Sequence, residues 1–257
     1  MDRLDNYLVK NKLVKTRTRS KYEIENGNVS VNGKIITKPS FKVSDEDEII
    51  VNNSFDYVSK GALKLLKAKE VFNIDFNNKV MLDIGSSTGG FSEVALRNNI
   101  KKVIAVDVGK DQFDEKLKED KRVELHEETD IRNFEIKESI YIITIDVSFI
   151  SVTKFLDKIN SINPKEIILL IKPQFECGKE LADKYKGIPL NKEVHFNIIN
   201  NIIKSFSNIN FNIQDLTYSP IKGGSGNIEY LAYFTKNEIN TIDVYDVVEK
   251  SFNSFKV

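Results

Sequence analysis

Residues 79 to 91 read Lys-Val-Met-Leu-Asp-Ile-Gly-Ser-Ser-Thr-Gly-Gly-Phe, and this stretch decides the predicted fold. An apolar run from Val80 to Ile84 breaks into a glycine-rich turn and then enters a helical pattern. Gly85, Gly89 and Gly90 let the backbone approach a ligand and adopt angles that a Cβ atom would forbid. This order of strand, turn and helix is typical of the first βα unit of a nucleotide-type cofactor site.

Around this unit, short β-rich runs alternate with helical patterns from Tyr57 onward. Such alternation predicts an α/β domain with a doubly wound, mostly parallel sheet. The predicted strands cover residues 80–84, 103–106, 123–125, 140–145, 167–171, 211–216 and 228–234. Helices are predicted to begin near residues 61, 89, 151 and 191, and a last helix covers 242–254.

Residues 1–50 are predicted to form a small α+β domain of their own. Its apolar residues first have helical spacing, and the pattern later alternates around Asn32-Gly33, which is a strong hairpin signal. Basic residues are concentrated in its first half: Lys10, Lys12, Lys15, Arg17, Arg19 and Lys21. Residues 51–57 are predicted to be a linker, and residues 58–257 a catalytic domain.

The composition excludes several classes of protein. The 257 residues carry a formal net charge of +0, so nucleic-acid binding has to come from uneven charge placement. The single cysteine, Cys177, excludes an internal disulfide and fits a reducing compartment. We expect no metal site, because no His and Cys residues have metal-ligand spacing. The sequence has no apolar segment typical of a secretory signal or a membrane span, so it predicts a cytoplasmic protein that does not bind membranes.

The glycine-rich turn alone does not separate dehydrogenases from methyltransferases. However, Ser87 stands where a dinucleotide site needs a second glycine close to the pyrophosphate. A cofactor without phosphates fits better, and S-adenosyl-L-methionine is such a cofactor. Asp83 is placed to orient its amino-acid portion. Asp107 ends the next predicted strand, where an acid can accept both ribose hydroxyls.

Lys64, Asp146, Lys172 and Glu229 lie at the carboxyl edges of the predicted strands or beside them, where open α/β sheets bind ligands. Taken singly, each is more often a solvated charge or a helix cap. In this order they resemble the catalytic lysine, aspartate, lysine and glutamate of FtsJ-like ribose 2′-O-methyltransferases.

The residues around them are similar to those of the TlyA (haemolysin A) branch of that family. The segments that carry the resemblance are 57–65, 83–91, 146–151, 172–176 and 224–230. The resemblance implies a Rossmann-like class I methyltransferase fold and 2′-O-methylation of ribosomal RNA, with cytidine as the target. Lys172 would activate the 2′-hydroxyl, either as a neutral amine that takes the proton or as a cation that stabilises the alkoxide.

The resemblance also implies a cofactor pocket and an RNA-binding surface. Together with the turn, the predicted cofactor residues are Asp83, Gly85, Ser87, Gly89, Gly90, Phe91, Asp107, Asp130 and Asp146. Residues 1–50 resemble an S-four-type RNA-binding domain, which makes ribosomal RNA or a ribosomal subunit the expected partner. The predicted RNA contacts are Arg3, Arg17, Arg19, Lys21, Lys34 and Lys60. Lys60 stands where the family usually has arginine, and lysine lacks the bidentate geometry of arginine.

The sequence leaves two alternative functions. A non-catalytic RNA-binding or ribosome-assembly factor would keep the fold as a scaffold, although a scaffold has no need of two amines and two carboxylates around one cleft. Direct membrane lysis, which the haemolysin label suggests, is disfavoured because the sequence has no strongly basic amphipathic helix. The polar loop 177–189 either closes over substrate or is disordered. His126, His195 and Cys177 are expected to have no catalytic role.

Overall fold

The computed structural model describes residues 1–14, 16–25, 27–51, 57–178 and 191–257. Their contacts divide the chain into two compact units, Met1–Tyr57 and Val58–Val257. Lys15, most of the predicted linker 51–57 and most of the predicted loop 177–189 lie outside the described residues.

The first unit is a small α+β domain. Its elements are β1 (Asp2–Arg3), α1 (Leu4–Lys10), α2 (Arg17–Glu25), β2 (Val29–Val31), β3 (Lys34–Ile35), β4 (Lys42–Val43) and β5 (Ile49–Val51). The predicted hairpin joins β2 to β3, and both turn residues have positive φ, 51° at Asn32 and 76° at Gly33. Asn-Gly forms this turn readily because asparagine tolerates, and glycine freely adopts, that conformation. Apolar residues from the helices and strands, including Leu8 and Val29, form its core.

The second unit is built on a seven-stranded sheet with the order β11-β12-β10-β9-β6-β7-β8. The strands are β6 (Val80–Ile84), β7 (Lys102–Val106), β8 (Val123–His126), β9 (Ile142–Ile145), β10 (Glu166–Ile171), β11 (Asn212–Tyr218) and β12 (Tyr230–Thr235). The ladder is parallel from β10 to β8 and antiparallel at β12 and β11. The predicted fold class, α/β with a mostly parallel sheet, is confirmed.

Helices connect and cover these strands. They are α3 (Gly61–Val71), α4 (Gly90–Arg97), α5 (Glu115–Lys118), a 3₁₀ helix (Val152–Phe155), α6 (Leu156–Ile162), α7 (Pro173–Glu176), α8 (Lys192–Ser207) and α9 (Val244–Ser254). The longest, α8, begins where the Asn191 side chain accepts hydrogen bonds from the backbone N–H groups of Glu193 and Val194. α3 packs against α4 and β12, and α8 packs against α9 and β11.

Some predicted strand boundaries differ from the observed ones by one or two residues. The strand predicted from residue 140 begins at Ile142, and the strand predicted from residue 228 begins at Tyr230. Ile140 and Ile228 are both buried, yet they lie just outside the hydrogen-bonded ladder. Apolar residues indicate burial and not strand pairing, so the apolar pattern continues into connections whose side chains are buried in the core.

The site is positioned by the order of the central strands. From β6 the chain continues to β7 and β8 on one side, and it then returns to place β9 on the other side. Ligands of open α/β sheets bind at such a reversal, beyond the carboxyl ends of the strands. β12 runs antiparallel to β10 and pairs Tyr230 with Ile171, so the start of β12 lies at the same edge.

Candidate active site

A cavity of about 500 Å³ opens at this edge of the sheet, beyond the ends of β6, β7 and β9. Its lining includes these predicted cofactor residues: Gly85, Ser87, Asp107, Asp130 and Asp146. The strand order explains the convergence, because each residue follows or faces the end of a parallel strand at the reversal.

The turn after β6 requires its first glycine. Gly85 has a φ of 80°, and a Cβ atom there would lie 2.5 Å from the carbonyl oxygen of Asp146. The next loop can therefore lie directly against the turn. Ser87, also at positive φ, donates its backbone N–H to Oδ2 of Asp107 at 2.8 Å.

Two carboxylates in the cavity are held in place. Asp107 accepts the backbone N–H of Gly109 on Oδ1 at 2.7 Å, while Ser87 occupies Oδ2. Asp130 accepts from the Arg132 guanidinium, whose Nε lies 3.0 Å from both carboxylate oxygens. The Arg132 hydrogen bonds lower the pKa of Asp130, so this carboxylate remains charged. A cofactor with a ribose and an adenine would meet fixed acceptors here.

The other predicted cofactor residues lie outside the cavity lining. Asp83 is fully buried and accepts hydrogen bonds from Ser92 Oγ at 2.6 Å and Thr144 Oγ1 at 2.8 Å. Burial raises the pKa of Asp83 to about 6. The other three lie at the start of α4: Gly89, Gly90 and Phe91. Gly89 precedes α4 with a φ of 89°, and Phe91 is buried in the core.

Beside the cavity, the predicted lysines and carboxylates form two ion pairs. Lys64 Nζ lies 2.7 Å from Glu229 Oε2, and Lys172 Nζ lies 2.5 Å from Asp146 Oδ1. The four side chains are between 3% and 20% exposed. The antiparallel pairing of β10 and β12 places Lys172 and Glu229 at the same edge of the sheet, because one follows β10 and the other precedes β12.

The two lysines have different environments. Burial alone would lower the pKa of Lys64, but the charges of Asp146 and Glu229 outweigh it and raise that pKa, which favours the charged amine. Lys172 Nζ also donates to Ser148 Oγ at 2.9 Å. Ser148 itself is exposed and lines the cavity, so this amine lies next to the space where a ligand would bind.

Sequence reasoning missed several residues of this site. Phe149 has a φ of 65° and is 90% exposed, and its ring centroid lies 4.9 Å from that of Phe175. It lines the cavity beside Ser148. Gln174 Nε2 lies 3.4 Å from Glu229 Oε1. These residues lie within the segments 146–151 and 172–176 that carry the family resemblance, but only the fold reveals their contacts.

In the first unit, the predicted RNA-binding arginines have partners within the unit. Arg3 Nε lies 2.9 Å and Arg17 Nε 3.4 Å from the carboxylate of Asp5, which is fully buried. Arg19 forms an ion pair with Glu23. By contrast, the predicted lysines Lys21 and Lys34 are exposed. Lys60 belongs to the second unit, where it directly precedes α3.

His126, His195 and Cys177, which are expected to have no catalytic role, do not line the cavity. His126 Nε2 lies 2.7 Å from Glu124, and His195 Nδ1 lies 2.7 Å from the buried Tyr230 hydroxyl. Burial raises the pKa of the Cys177 thiol, which makes it less reactive. Across the described ranges, no group of three or more His, Cys, Asp or Glu residues is placed to hold a metal ion. None of the helices in those ranges has the length and apolar content needed to cross a bilayer.

Comparison with known proteins matches both units. Residues 57–236 match the FtsJ-like methyltransferase family, and residues 2–49 match the S4 domain. The 23S rRNA (cytidine-2′-O)-methyltransferase TlyA of Campylobacter jejuni is 36% identical over 250 residues, which cover 90% of this chain and 98% of that protein. Hemolysin A of Brachyspira hyodysenteriae is 41% identical over 239 residues, which cover 90% and 99% of the two chains.

The solved structures agree with these matches. A structure from Streptococcus thermophilus that carries the hemolysin name superposes with a TM-score of 0.78 at 35% identity, covering 99% of this chain and 97% of that chain. The methyltransferase match alone, residues 57–236, covers well over half of the 257 residues. The chain therefore belongs to the TlyA (haemolysin A) family of FtsJ-like methyltransferases, with an S4 domain over residues 2–49.

Proposed function

We propose that the protein transfers a methyl group from S-adenosyl-L-methionine to the ribose 2′-hydroxyl of a cytidine in ribosomal RNA. The observation that carries this proposal is the Lys172–Asp146 ion pair of 2.5 Å, which lies at the wall of the cavity. The relative from Campylobacter jejuni is named for this reaction on 23S rRNA. A substrate of this kind also implies that the protein works in the cytoplasm.

The cavity fits the cofactor through its donors, acceptors and shape. Asp107 presents a fixed carboxylate for a ribose diol, and Asp130 lies farther along the wall for the adenine. Gly85 lets the loop that carries Asp146 lie directly against the turn that borders the cavity. When bound, S-adenosyl-L-methionine supplies an electrophilic methyl group on a sulfonium sulfur.

The chain has to activate a hydroxyl that is barely acidic near neutral pH. In the reaction the 2′-oxygen forms a bond to the methyl carbon, the carbon–sulfur bond breaks, and the hydroxyl proton leaves. Lys172 either takes that proton as a neutral amine or stabilises the oxygen as a cation. Lys64 stays charged, and Asp146 and Glu229 hold the two amines in place. Positioning supplies much of the acceleration in either case.

The target base needs a surface once it leaves its stack in the RNA. Phe149 provides an exposed aromatic ring at the cavity, and this ring packs against the Phe175 ring. Bases stack well on such faces, at about 1–3 kcal/mol per base. The first unit supplies phosphate contacts through the exposed Lys21 and Lys34, consistent with an S4 domain.

Lys172→Ala tests the chemical role directly. We expect S-adenosyl-L-methionine to bind within about 3-fold of wild type, and methyl transfer to rRNA to fall by about 100-fold or more, as expected for loss of a general base or charge stabiliser. Calorimetry measures binding, and tritiated methyl transfer to rRNA from cells lacking this protein measures the rate. Lys165→Ala is the matched control, because Lys165 is an exposed lysine just before β10, at the other end from Lys172.

Wild-type transfer by the Lys172→Ala variant would remove Lys172 from the mechanism. A wild-type chain that binds rRNA but not S-adenosyl-L-methionine would favour the alternative of a non-catalytic assembly factor. Primer extension on rRNA from cells with and without the protein, at low nucleotide concentration, then identifies the modified nucleotide.

A further inference from the structure

The loop that carries Asp146, residues 146–151, is held mainly by side chains. At its start, the backbone N–H of Asp146 donates to the carbonyl oxygen of Ile84 at 2.9 Å. Within the described part of the chain, residues 147–150 make no backbone–backbone hydrogen bond. Besides its packing against the Gly85 turn and the core, this loop is held by side-chain contacts with residues 172–176.

Glu176 holds the far end of the loop with both carboxylate oxygens. Oε2 accepts from Ser151 Oγ at 2.5 Å, and Oε1 accepts from the backbone N–H of Val152 at 2.9 Å. Val152 begins the 3₁₀ helix, where backbone N–H groups have no partner within the helix. Ser151 also accepts from the backbone N–H of Thr153, so one carboxylate fixes both the end of the loop and the start of that helix.

Glu176 and Lys172 are coupled through the short helix α7. The backbone N–H of Phe175 donates to the carbonyl oxygen of Lys172 at 2.9 Å. Lys172 directly precedes α7 and Glu176 ends it, so they lie about one helical turn apart. Lys172 contacts Asp146 and Ser148 near the start of the loop. Segment 172–176 therefore grips the loop at both ends, with Lys172 at one end and Glu176 at the other.

Glu176 accepts hydrogen bonds in a partly desolvated environment that contains no cation partner among the described residues. Burial raises the pKa of this carboxyl, and the hydrogen bonds from Ser151 and Val152 oppose that rise. No lysine or arginine among the described residues forms an ion pair with it. A half-buried carboxylate without a cation loses part of its hydration, and the hydrogen bonds from Ser151 and Val152 replace part of that loss.

We propose that Glu176 is a positioning residue for methyl transfer: it clamps the end of the 146–151 loop so that Asp146 stays paired with Lys172 beside the cavity. This inference rests on the proposed function. A displacement of a catalytic group by about 1 Å can cost about 100-fold in rate. Glu176 is not among the residues that line the cavity, so its effect on the reaction passes through the loop.

The test compares Glu176→Ala, Glu176→Gln and Ser151→Ala with wild type in steady-state and single-turnover methyl transfer to rRNA. We expect Glu176→Ala to lower kcat by about 10- to 100-fold while KM for cofactor and for RNA changes by less than about 3-fold. Glu176→Gln keeps an acceptor for Val152 and should recover kcat to within about 5-fold of wild type. Glu135→Ala, at an exposed glutamate of the same unit, should match wild type.

A double-mutant cycle tests whether Glu176 acts on the rate through Ser151. If the carboxylate acts through Ser151, Glu176→Ala combined with Ser151→Ala should be no slower than Glu176→Ala alone. If Glu176→Ala is unfolded at the assay temperature, Ser151→Ala carries the test, with an expected loss in kcat of about 5-fold or more. Wild-type kcat in Ser151→Ala or in Glu176→Ala would overturn the role of Glu176. A wild-type chain without methyl transfer would overturn the proposed function and this inference together.

Discussion

At the scale of single residues, glycines allow close contacts within the site because they have no side chain. A Cβ atom on Gly223 would lie 2.5 Å from Oε1 of Glu229, so a side chain there would have to displace the carboxylate that pairs with Lys64. The next residue, Gly224, has open space where its Cβ atom would be. The two neighbouring glycines therefore have different roles.

This contrast gives a matched pair of substitutions. Gly223→Ala should displace the Glu229 carboxylate from Lys64 and lower methyl transfer by about 10-fold or more, in line with the cost of misplacing a catalytic group. Gly224→Ala should stay within about 2-fold of wild type. Single-turnover kinetics at saturating cofactor measure both, and equal rates for the two variants would contradict the close-contact explanation.

Asp83 makes a second prediction at this scale, on stability and pH. Burial raises its pKa from 3.8 to about 6, so between these values the folded chain holds a proton that the unfolded chain releases. Wild-type stability is therefore lost as pH rises through this window. Asparagine at position 83 does not titrate. The free energy of unfolding of Asp83→Asn, relative to that of wild type, should therefore be about 3 kcal/mol higher at pH 7.5 than at pH 4. Urea unfolding at both pH values measures the difference, and a pH-independent difference would contradict it.

At the scale of elements, the packing of α3 against α4 places Lys64, one of the two amines of the proposed catalytic site. α3 carries Lys64, and its side of the sheet is fixed by contact with β12, where the rings of Phe72 and Tyr233 stack with centroids 5.7 Å apart. Gly90 begins α4, and a Cβ atom there would lie 3.0 Å from the backbone nitrogen of Ala62 and closer still to Ser59 Oγ. The glycine-rich turn therefore allows close helix packing, in addition to its proposed role at the cofactor site.

Gly90→Ala should push α3 away from α4. Because the nearest backbone atom belongs to a helix, we expect a loss of about 1–3 kcal/mol in the free energy of unfolding, typical of overpacking. Methyl transfer should fall while Asp107 still binds the cofactor. Urea unfolding and calorimetry measure these effects, and unchanged stability would show that α3 adapts without cost.

At the scale of the whole molecule, a chain of formal net charge +0 binds RNA only where its cations are not already neutralised. Arg3 and Arg17 surround the buried carboxylate of Asp5, so their main contribution is to the fold of the first unit. Lys21 and Lys34 are exposed on that unit. The predicted basic residues of this unit thus divide into arginines that pair with its carboxylates and lysines that are exposed to solvent.

Variants of the two groups should behave differently. Lys21→Ala with Lys34→Ala should leave the melting temperature unchanged and weaken rRNA binding, with the salt dependence of log K reduced by about 1 per lysine. Arg3→Ala should lower the melting temperature, because it removes the closest partner of Asp5. Filter binding over a range of salt concentrations tests the first statement, and an unchanged slope would place the RNA contacts elsewhere.

Much of this protein follows from local sequence. The strand-turn-helix pattern of residues 79–91 and the alternation that follows predicted the mostly parallel sheet, because apolar periodicity and glycine positions reflect local backbone constraints. The Asn32-Gly33 hairpin was predicted for the same reason. Strand ends were less accurate, since Ile140 and Ile228 are buried outside the ladder.

The contacts of the site depend on the tertiary structure. The sequence by itself determined the residue types, Lys64, Asp146, Lys172 and Glu229, and the family they resemble. Only the fold decided that they form two ion pairs, that Asp83 faces inward, and that Glu176 reaches Ser151 across 25 positions of sequence. The physical reason is that a pairing between distant segments is set by strand order and register, which no local pattern encodes.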